Sequence, residues 1–347
     1  MSEKKLDTVI TAATETPNSR RKFLGSMGLM GAGAVLASCG PALAQPPAST
    51  KRDVDAAILN FALNLEYLEA AFYAAAVGRI GEVREMGGGM EIMLPADLPA
   101  GGMNFGPIVS SAGTTLVSAE AVREYAREIA DDEIRHVRFL RKALGANAVE
   151  RPRLNLTTSF STAGSVASNQ AITGFNPYAS SLAFLLGAFI FEDVGVTAYK
   201  GAAPLMTNAD FLSAAAGILA VEAYHAAEIR TVLYNVRDVT VGAGLNTGQV
   251  VQAISNTRDA LDNRPNNAAD TDQGIVSALE GNPEYVRVAQ SNIVLADENA
   301  IAFSRTPRQV ANIVQLNADA KNLDASFFPA GLSVGKFGAD FTFLLSL

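Results

Sequence analysis

Along this 347-residue chain, apolar positions recur at helical spacing in four long stretches. The first, about residues 54–77, repeats through Ile58, Ala62, Leu65, Phe72 and Ala76. The second, about 118–144, opens on a Ser N-cap, stops at Gly145 and carries Val122, Tyr125, Ile129, Val137 and Leu140 on one face. The third, about 180–200, is apolar nearly all round through Ala183, Phe184, Gly187, Ala188, Phe191 and Val196, so it is expected to be the most buried. The fourth, about 210–236, runs through Phe211, Ile218, Val221, Ile229 and Val232. The joins between them are uneven. A Gly-rich insertion over 78–113, with Met86, Met90, Met93 and Met103, reads as a surface loop or hairpin, with a role in covering a site as the alternative. A Ser/Thr/Asn/Pro-rich connection over 146–178 is long enough to run the length of a bundle. The expected fold is mainly α: a four-helix bundle with one long crossover over 54–236, then a C-terminal extension of mixed helix and loop over 237–347, packed on the bundle or on a partner.

Within that extension 249–261 reads as a helix, and Thr306-Pro307-Arg308-Gln309 combines an N-cap Thr, Pro at the first helical position and a Gln able to close a capping box. The tail from Phe327 is aromatic and Gly-rich, a composition suited to packing.

The first 44 residues are different in kind. Ser19-Arg20-Arg21-Lys22-Phe23-Leu24-Gly25 precedes a Gly/Ala-rich apolar run too short to span a bilayer comfortably, and resembles a twin-arginine export signal. Leu36-Ala37-Ser38-Cys39 looks like a lipobox, which would place an acyl anchor on Cys39; Ala42-Leu43-Ala44 fits ordinary signal-peptidase cleavage instead. Either way the export machinery is an expected partner and the mature chain is expected in the periplasm or lipid-anchored to the envelope, without a transmembrane helix.

Composition narrows the chemistry. With 27 Lys+Arg against 35 Asp+Glu the net charge is -8, which excludes a general nucleic-acid binder. The single Cys excludes a disulfide framework and a cysteine-ligated metal site. Two His, His136 and His225, restrict imidazole chemistry to one or two places.

Each of those His follows a Glu by three residues, in Glu133-Ile134-Arg135-His136 and Glu222-Ala223-Tyr224-His225. That spacing puts each pair on one helical face, and the face continues the apolar stripe of its helix. Ionisable pairs in a core stripe need partners or a metal. The other two helices offer Glu66 with Tyr73 seven residues on, and Glu192 with Tyr199 seven residues on, a shared spacing that suggests an internal two-fold. One Glu from each of two helices plus Glu-x-x-His from the other two is a known ligand set for paired iron or manganese in four-helix bundles. Four carboxylates against two divalent cations leave a near-neutral core, and the set accepts either metal.

The phrases Leu63-Asn64-Leu65-Glu66-Tyr67-Leu68-Glu69, Asp132-Glu133-Ile134-Arg135-His136 and Phe191-Glu192-Asp193-Val194-Gly195, with Asn292-Ile293-Val294 and Ala302-Phe303-Ser304-Arg305-Thr306-Pro307, resemble the ferritin-like superfamily, in its exported bacterial branch related to plant desiccation-related proteins. The resemblance implies a ferritin-like bundle with Glu66, Glu133, His136, Glu192, Glu222 and His225 as ligands of two Fe or two Mn ions. It also implies Tyr73 beside the site and Asp132 as an acidic residue behind the ligands, a pattern Val221 breaks on the fourth helix. Glu66 is preferred to Glu69 on the Tyr73 spacing, with Glu69 an additional ligand or a neighbour; Tyr199 is placed behind the ligands. Asp193, Glu228 and Glu128 read as solvated or structural. The implied activity is redox chemistry on oxygen, peroxide or ferrous ion, of ferroxidase, peroxidase or manganese-catalase type. The competing reading is a non-catalytic metal-binding or desiccation-protective protein. A homo-oligomer is compatible with either, though the long insertion and extension suit a storage cage poorly. The string Gly331-Leu332-Ser333-Val334-Gly335 imitates a hydrolase nucleophile elbow, but no His follows position 225 to serve it.

Overall fold

The computed structural model describes residues 52–262, 272–277, 290–317 and 323–347. The Arg20-Arg21 pair, Cys39 and both cleavage sites lie outside the described residues.

Four long helical segments form the bundle: α1 (Asp55–Ala76), after which a short α2 (Ile80–Arg84) opens the insertion, then α3 (Ala119–Leu144), with α4 (Thr158–Ala167) inside the crossover, then α5 (Ser181–Phe189) with α6 (Glu192–Ala202), and α7 (Ala209–Asn235). The extension adds α8 (Thr247–Leu261), α9 (Pro307–Val314) and α10 (Gly338–Leu344). The caps are largely those legible in the chain. Ser118 accepts from Ala121 N, Gly145 ends α3 at φ 54°, and Thr306 and Gln309 close a capping box on α9. Strands are two- or three-residue pairs: Ile92–Met93 runs parallel to Leu154–Asn155 and ties the insertion to the crossover, while Ile108–Val109 and Thr115–Val117 make the hairpin.

α1 packs chiefly on α3, and α6 on α7, so the bundle is two helix pairs facing each other. The third segment is not the most enclosed. α1 is, with every residue buried except Ala56 and Ala62. The reason is the polar side chains on its outer face, which are answered by chain laid over them. Asn60 donates to Asn147 O and accepts from Val149 N, and Asn64 donates to Ser333 O and accepts from Ser333 N. The Ser of the false nucleophile elbow thus holds the tail onto α1.

The third segment is also not one helix. Ser181–Leu205 is long and apolar enough to cross a membrane, yet it is buried inside the protein and broken at Ile190 and Phe191. There the turn tightens: Ile190 N reaches Gly187 O and Phe191 N reaches Ala188 O. A side chain takes the carbonyl released at the break, since Arg258 Nη1 from α8 donates to Phe189 O at 2.6 Å. Phe191 turns into a cluster with Phe72, Phe160 and Phe327, ring centroids 5.0 to 5.7 Å apart.

The extension is held by buried charge as well as by rings. Asp193, read from the sequence as solvated or structural, is buried and accepts from Arg230 at 2.8 Å and from Arg258 at 3.0 Å. Asp272 joins Arg258 to Arg305, and Arg305 also reaches Asp262 at 3.2 Å and Thr197 Oγ1 at 3.0 Å. Gly201 admits that segment: a Cβ there would lie 1.9 Å from Arg305 O.

Removing the shared acceptor takes one carboxylate from each of two buried guanidiniums. Asp193→Ala is expected to cost about 3–5 kcal/mol, read as a lowered urea midpoint, whereas truncating the exposed Glu120 changes the midpoint little.

Candidate metal centre

Each ligand candidate owes its position to a helical face. On α3 and α7 the Glu-x-x-His pairs sit one turn apart on the buried stripe, with Glu133 and Glu222 fully buried and His136 and His225 at 8% and 4% exposure. Glu66 on α1 and Glu192 at the first turn of α6 are both 1% exposed. The break before α6 sends its two adjacent acids in different directions, Glu192 to the bundle axis and Asp193 to the arginines.

The six side chains converge. Ligand atoms of Glu66, Glu133, His136 and Glu222 lie within 4.8 Å of one another, and so do those of Glu192, Glu222 and His225. His136 Nδ1 is 3.1 Å from Glu66 Oε2, 3.6 Å from Glu133 Oε2 and 3.7 Å from Glu222 Oε1. His225 Nδ1 is 3.2 Å from Glu133 Oε1 and 3.6 Å from Glu192 Oε2. The two imidazole centroids are 6.5 Å apart with planes tilted by 35°. Glu133 therefore touches both rings, and Glu222 belongs to both groups.

The tyrosines show the two-fold directly. Tyr73, on α1 with Glu66, donates to Glu192; Tyr199, on α6 with Glu192, donates to Glu66. Each hydroxyl crosses the bundle to brace the other helix's carboxylate. Glu69 is buried beside the cluster and lies outside both ligand groups. Asp132 Oδ2 stands 3.4 Å from His225 Nε2 and so sits behind a ligand of the opposite helix. Glu128 is exposed and Glu228 half-buried.

One residue without a side chain also shapes the cluster. Gly195 follows Glu192 by one turn, and a Cβ there would lie 2.4 Å from Glu222 Oε2, so any side chain at 195 would make that carboxylate swing from the position it holds. Sequence pattern marks Gly195 as a helical glycine but says nothing of what crosses it.

The electrostatics are those of a cluster short of positive charge. Burial pushes the Glu66 carboxyl up to about 7, in spite of His136, and raises Glu69 and Glu222 well above the usual range, helped by neighbouring carboxylates. Burial alone would lower the imidazoles, yet Glu66 and Glu133 hold His136 up to about 12, and Glu133 and Glu192 do the same for His225. Glu133, opposed by burial, is held far below the usual range by both rings. Burial and the adjacent carboxylates keep the Tyr73 and Tyr199 hydroxyls protonated as donors.

Both oxygens of Glu133 and Glu222, Glu192 Oε2 and His225 Nδ1 are buried with no hydrogen-bond partner. Unpaired buried carboxylate oxygens cost several kcal/mol each unless a cation meets them. A carboxylate and imidazole donor set of this kind fits hard or borderline divalent metal, and Glu222 belongs to both groups.

Residues 54–235 match the family described as Ferritin-like domain. The desiccation-related protein PCC13-62 of Craterostigma plantagineum is 30% identical over 259 residues, 74% of this chain and 75% of that protein. The ferritin-like catalase Nec2 of Nesocodon mauritianus is 25% identical over 282 residues, 80% and 83% of the two chains. No solved structure matches.

Gly195→Ala is expected to displace Glu222 and cut bound metal while leaving the helical circular dichroism intact, as elemental analysis would show. Metal binding needs Nδ1 free, so the loaded protein holds fewer protons than the metal-free one and raising pH favours loading. Affinity should therefore increase from pH 6 to pH 8, and metal added to weakly buffered protein should acidify it.

Proposed function

The chain belongs to the ferritin-like domain family, and on that premise we propose that it is an exported oxidoreductase whose paired iron or manganese ions act on a small oxygen species, hydrogen peroxide above all. The observation that supports this most is the set of buried, partnerless carboxylate oxygens meeting two imidazoles at the bundle axis. Glu66, Glu133, His136, Glu192, Glu222 and His225 would hold the ions. When bound, two ions that each change oxidation state by one supply the two-electron capacity that converts two peroxides into dioxygen and two waters.

The protein's own groups set the terms for that chemistry. Ligands that are 8% exposed or less leave no open cleft for a large reductant, which suits a small reactant such as peroxide. The crossed Tyr73 and Tyr199 bonds fix Glu192 and Glu66 in place, so the cluster changes charge with little rearrangement. The relative named a ferritin-like catalase supports peroxide as the substrate. Export rests on Arg20-Arg21 and the apolar run behind them; that route carries folded proteins, which allows metal to be loaded before transport.

A second reading is favoured by the relative named desiccation-related, 30% identical to this chain: a metal-stabilised protective protein with no turnover. One experiment separates them. Protein recovered from the periplasm is expected to carry about two ions per chain and to release oxygen from peroxide. Glu133→Ala should lose both ions and activity, and His136→Ala at least one ion. Arg20→Lys with Arg21→Lys should leave the precursor in the cytoplasm. Bound metal with turnover of neither peroxide nor ferrous ion would favour the protective reading.

A further inference from the structure

The internal two-fold that crosses the tyrosines fails behind the histidines. Asp132 immediately precedes Glu133 on α3; at the equivalent place, immediately before Glu222 on α7, stands Val221. Both rings turn Nδ1 toward the carboxylates, and their outer nitrogens differ. His225 Nε2 lies 3.4 Å from Asp132 Oδ2, and Asp132 is steadied in turn by Arg135, whose Nη1 donates to Oδ1 at 3.1 Å. His136 Nε2 makes no hydrogen bond to any described residue, and a valine at position 221 supplies no acceptor.

The difference matters because an imidazole binds a cation through Nδ1 only as the tautomer that carries its proton on Nε2. A carboxylate facing Nε2 selects that tautomer, fixes the ring's rotation and makes Nδ1 a better donor to the metal. Partners of this kind change metal affinity by about 10- to 100-fold when removed. The carboxylates come close to balancing: the group at His136 has three and that at His225 two, and the odd one, Glu133, also lies 3.2 Å from His225 Nδ1. Glu66 and Glu192 are exchanged by the two-fold, Glu133 contacts both rings, and Glu222 belongs to both ligand groups. Glu69 has Gly195 as its counterpart, but the neighbours that feel its charge most are Glu222 and Glu133, which border both positions.

We propose that the two metal positions are unequal by construction: the one at His225, backed by Asp132, binds its ion more tightly and fills first, and the one at His136 fills second and exchanges more readily. This rests on the paired-metal reading above. Asp132 acts as a positioning residue through His225. The protein accordingly passes through a one-ion form as metal becomes available.

The test is a titration of the metal-free mature chain with Mn(II), followed by calorimetry and electron paramagnetic resonance. Wild type should bind in two steps about 10- to 100-fold apart, with the spectrum of an isolated Mn(II) at one equivalent and that of a coupled pair at two. His225→Ala should abolish the tight step and His136→Ala the weak one. Asp132→Ala should weaken the first step until the two merge, and Asp132→Asn, which keeps an acceptor oxygen, should restore part of the gap. Val221→Asp should merge them by strengthening the second step, a gain that damage to the fold would not produce; Val221→Asn repeats the test without a new charge. A single step with coupled pairs already present at half an equivalent, or two steps untouched by Asp132→Ala, overturns the inequality. Binding of neither Mn(II) nor, under anaerobic conditions, Fe(II) by wild type would overturn the paired-metal reading itself and the inequality with it.

Discussion

The structure is organised around four carboxylates taken out of water with only two imidazoles between them. Glu66, Glu133, Glu192 and Glu222 meet within a few ångströms at the axis of the bundle, and two imidazoles cannot neutralise them. Every surrounding feature bears on that deficit: the raised carboxyls, the imidazoles held charged, the tyrosines kept as donors. A cluster of like charge in a low-dielectric core persists only if cations or protons enter it, and its donor atoms suit divalent metal.

Such a core needs walls that do not yield. Tyr73 joins the ring cluster of Phe72, Phe160, Phe184 and Phe191, extended by Phe327 from the tail. A second buried charge network has the opposite solution. Asp193, Asp272 and Asp262 are each answered by buried arginines, so that network carries its own positive charge. Glu192 and Asp193 are sequence neighbours that belong to these two systems. The break at Ile190 and Phe191, with Arg258 capping the freed carbonyl, is the point where the extension sets the first turn of α6 and hence Glu192. The C-terminal region is thus part of the support of the centre.

Symmetry and its violations carry equal weight. The crossed Tyr73–Glu192 and Tyr199–Glu66 bonds show two helix pairs braced against each other. Glu69 against Gly195 and Asp132 against Val221 are the departures. The first makes room for Glu222, since a side chain at 195 would displace it; the second leaves one imidazole without an acceptor.

Much of this was open to reading in one dimension. The helices of the bundle follow a 3.6-residue period, and the caps Ser118 and Gly145 on α3 and Thr306 on α9 of the extension could be read from sequence, because hydrogen bonding within a helix and at its ends is local. The Glu-x-x-His pairs and the equal Glu-to-Tyr spacings are likewise facts about single helices, which is why the ligand candidates and the two-fold could be named from spacing. The rest depends on what lies opposite, and no period records that. Asp193 looks solvated until Arg230 and Arg258 arrive from α7 and α8; the third segment looks continuous until Arg258 takes Phe189 O; α1 looks half-exposed until the tail covers Asn64. Local spacing determined which atoms share a face, whereas packing between segments distant in the chain decided which faces meet, because burial and charge pairing are properties of the assembled core.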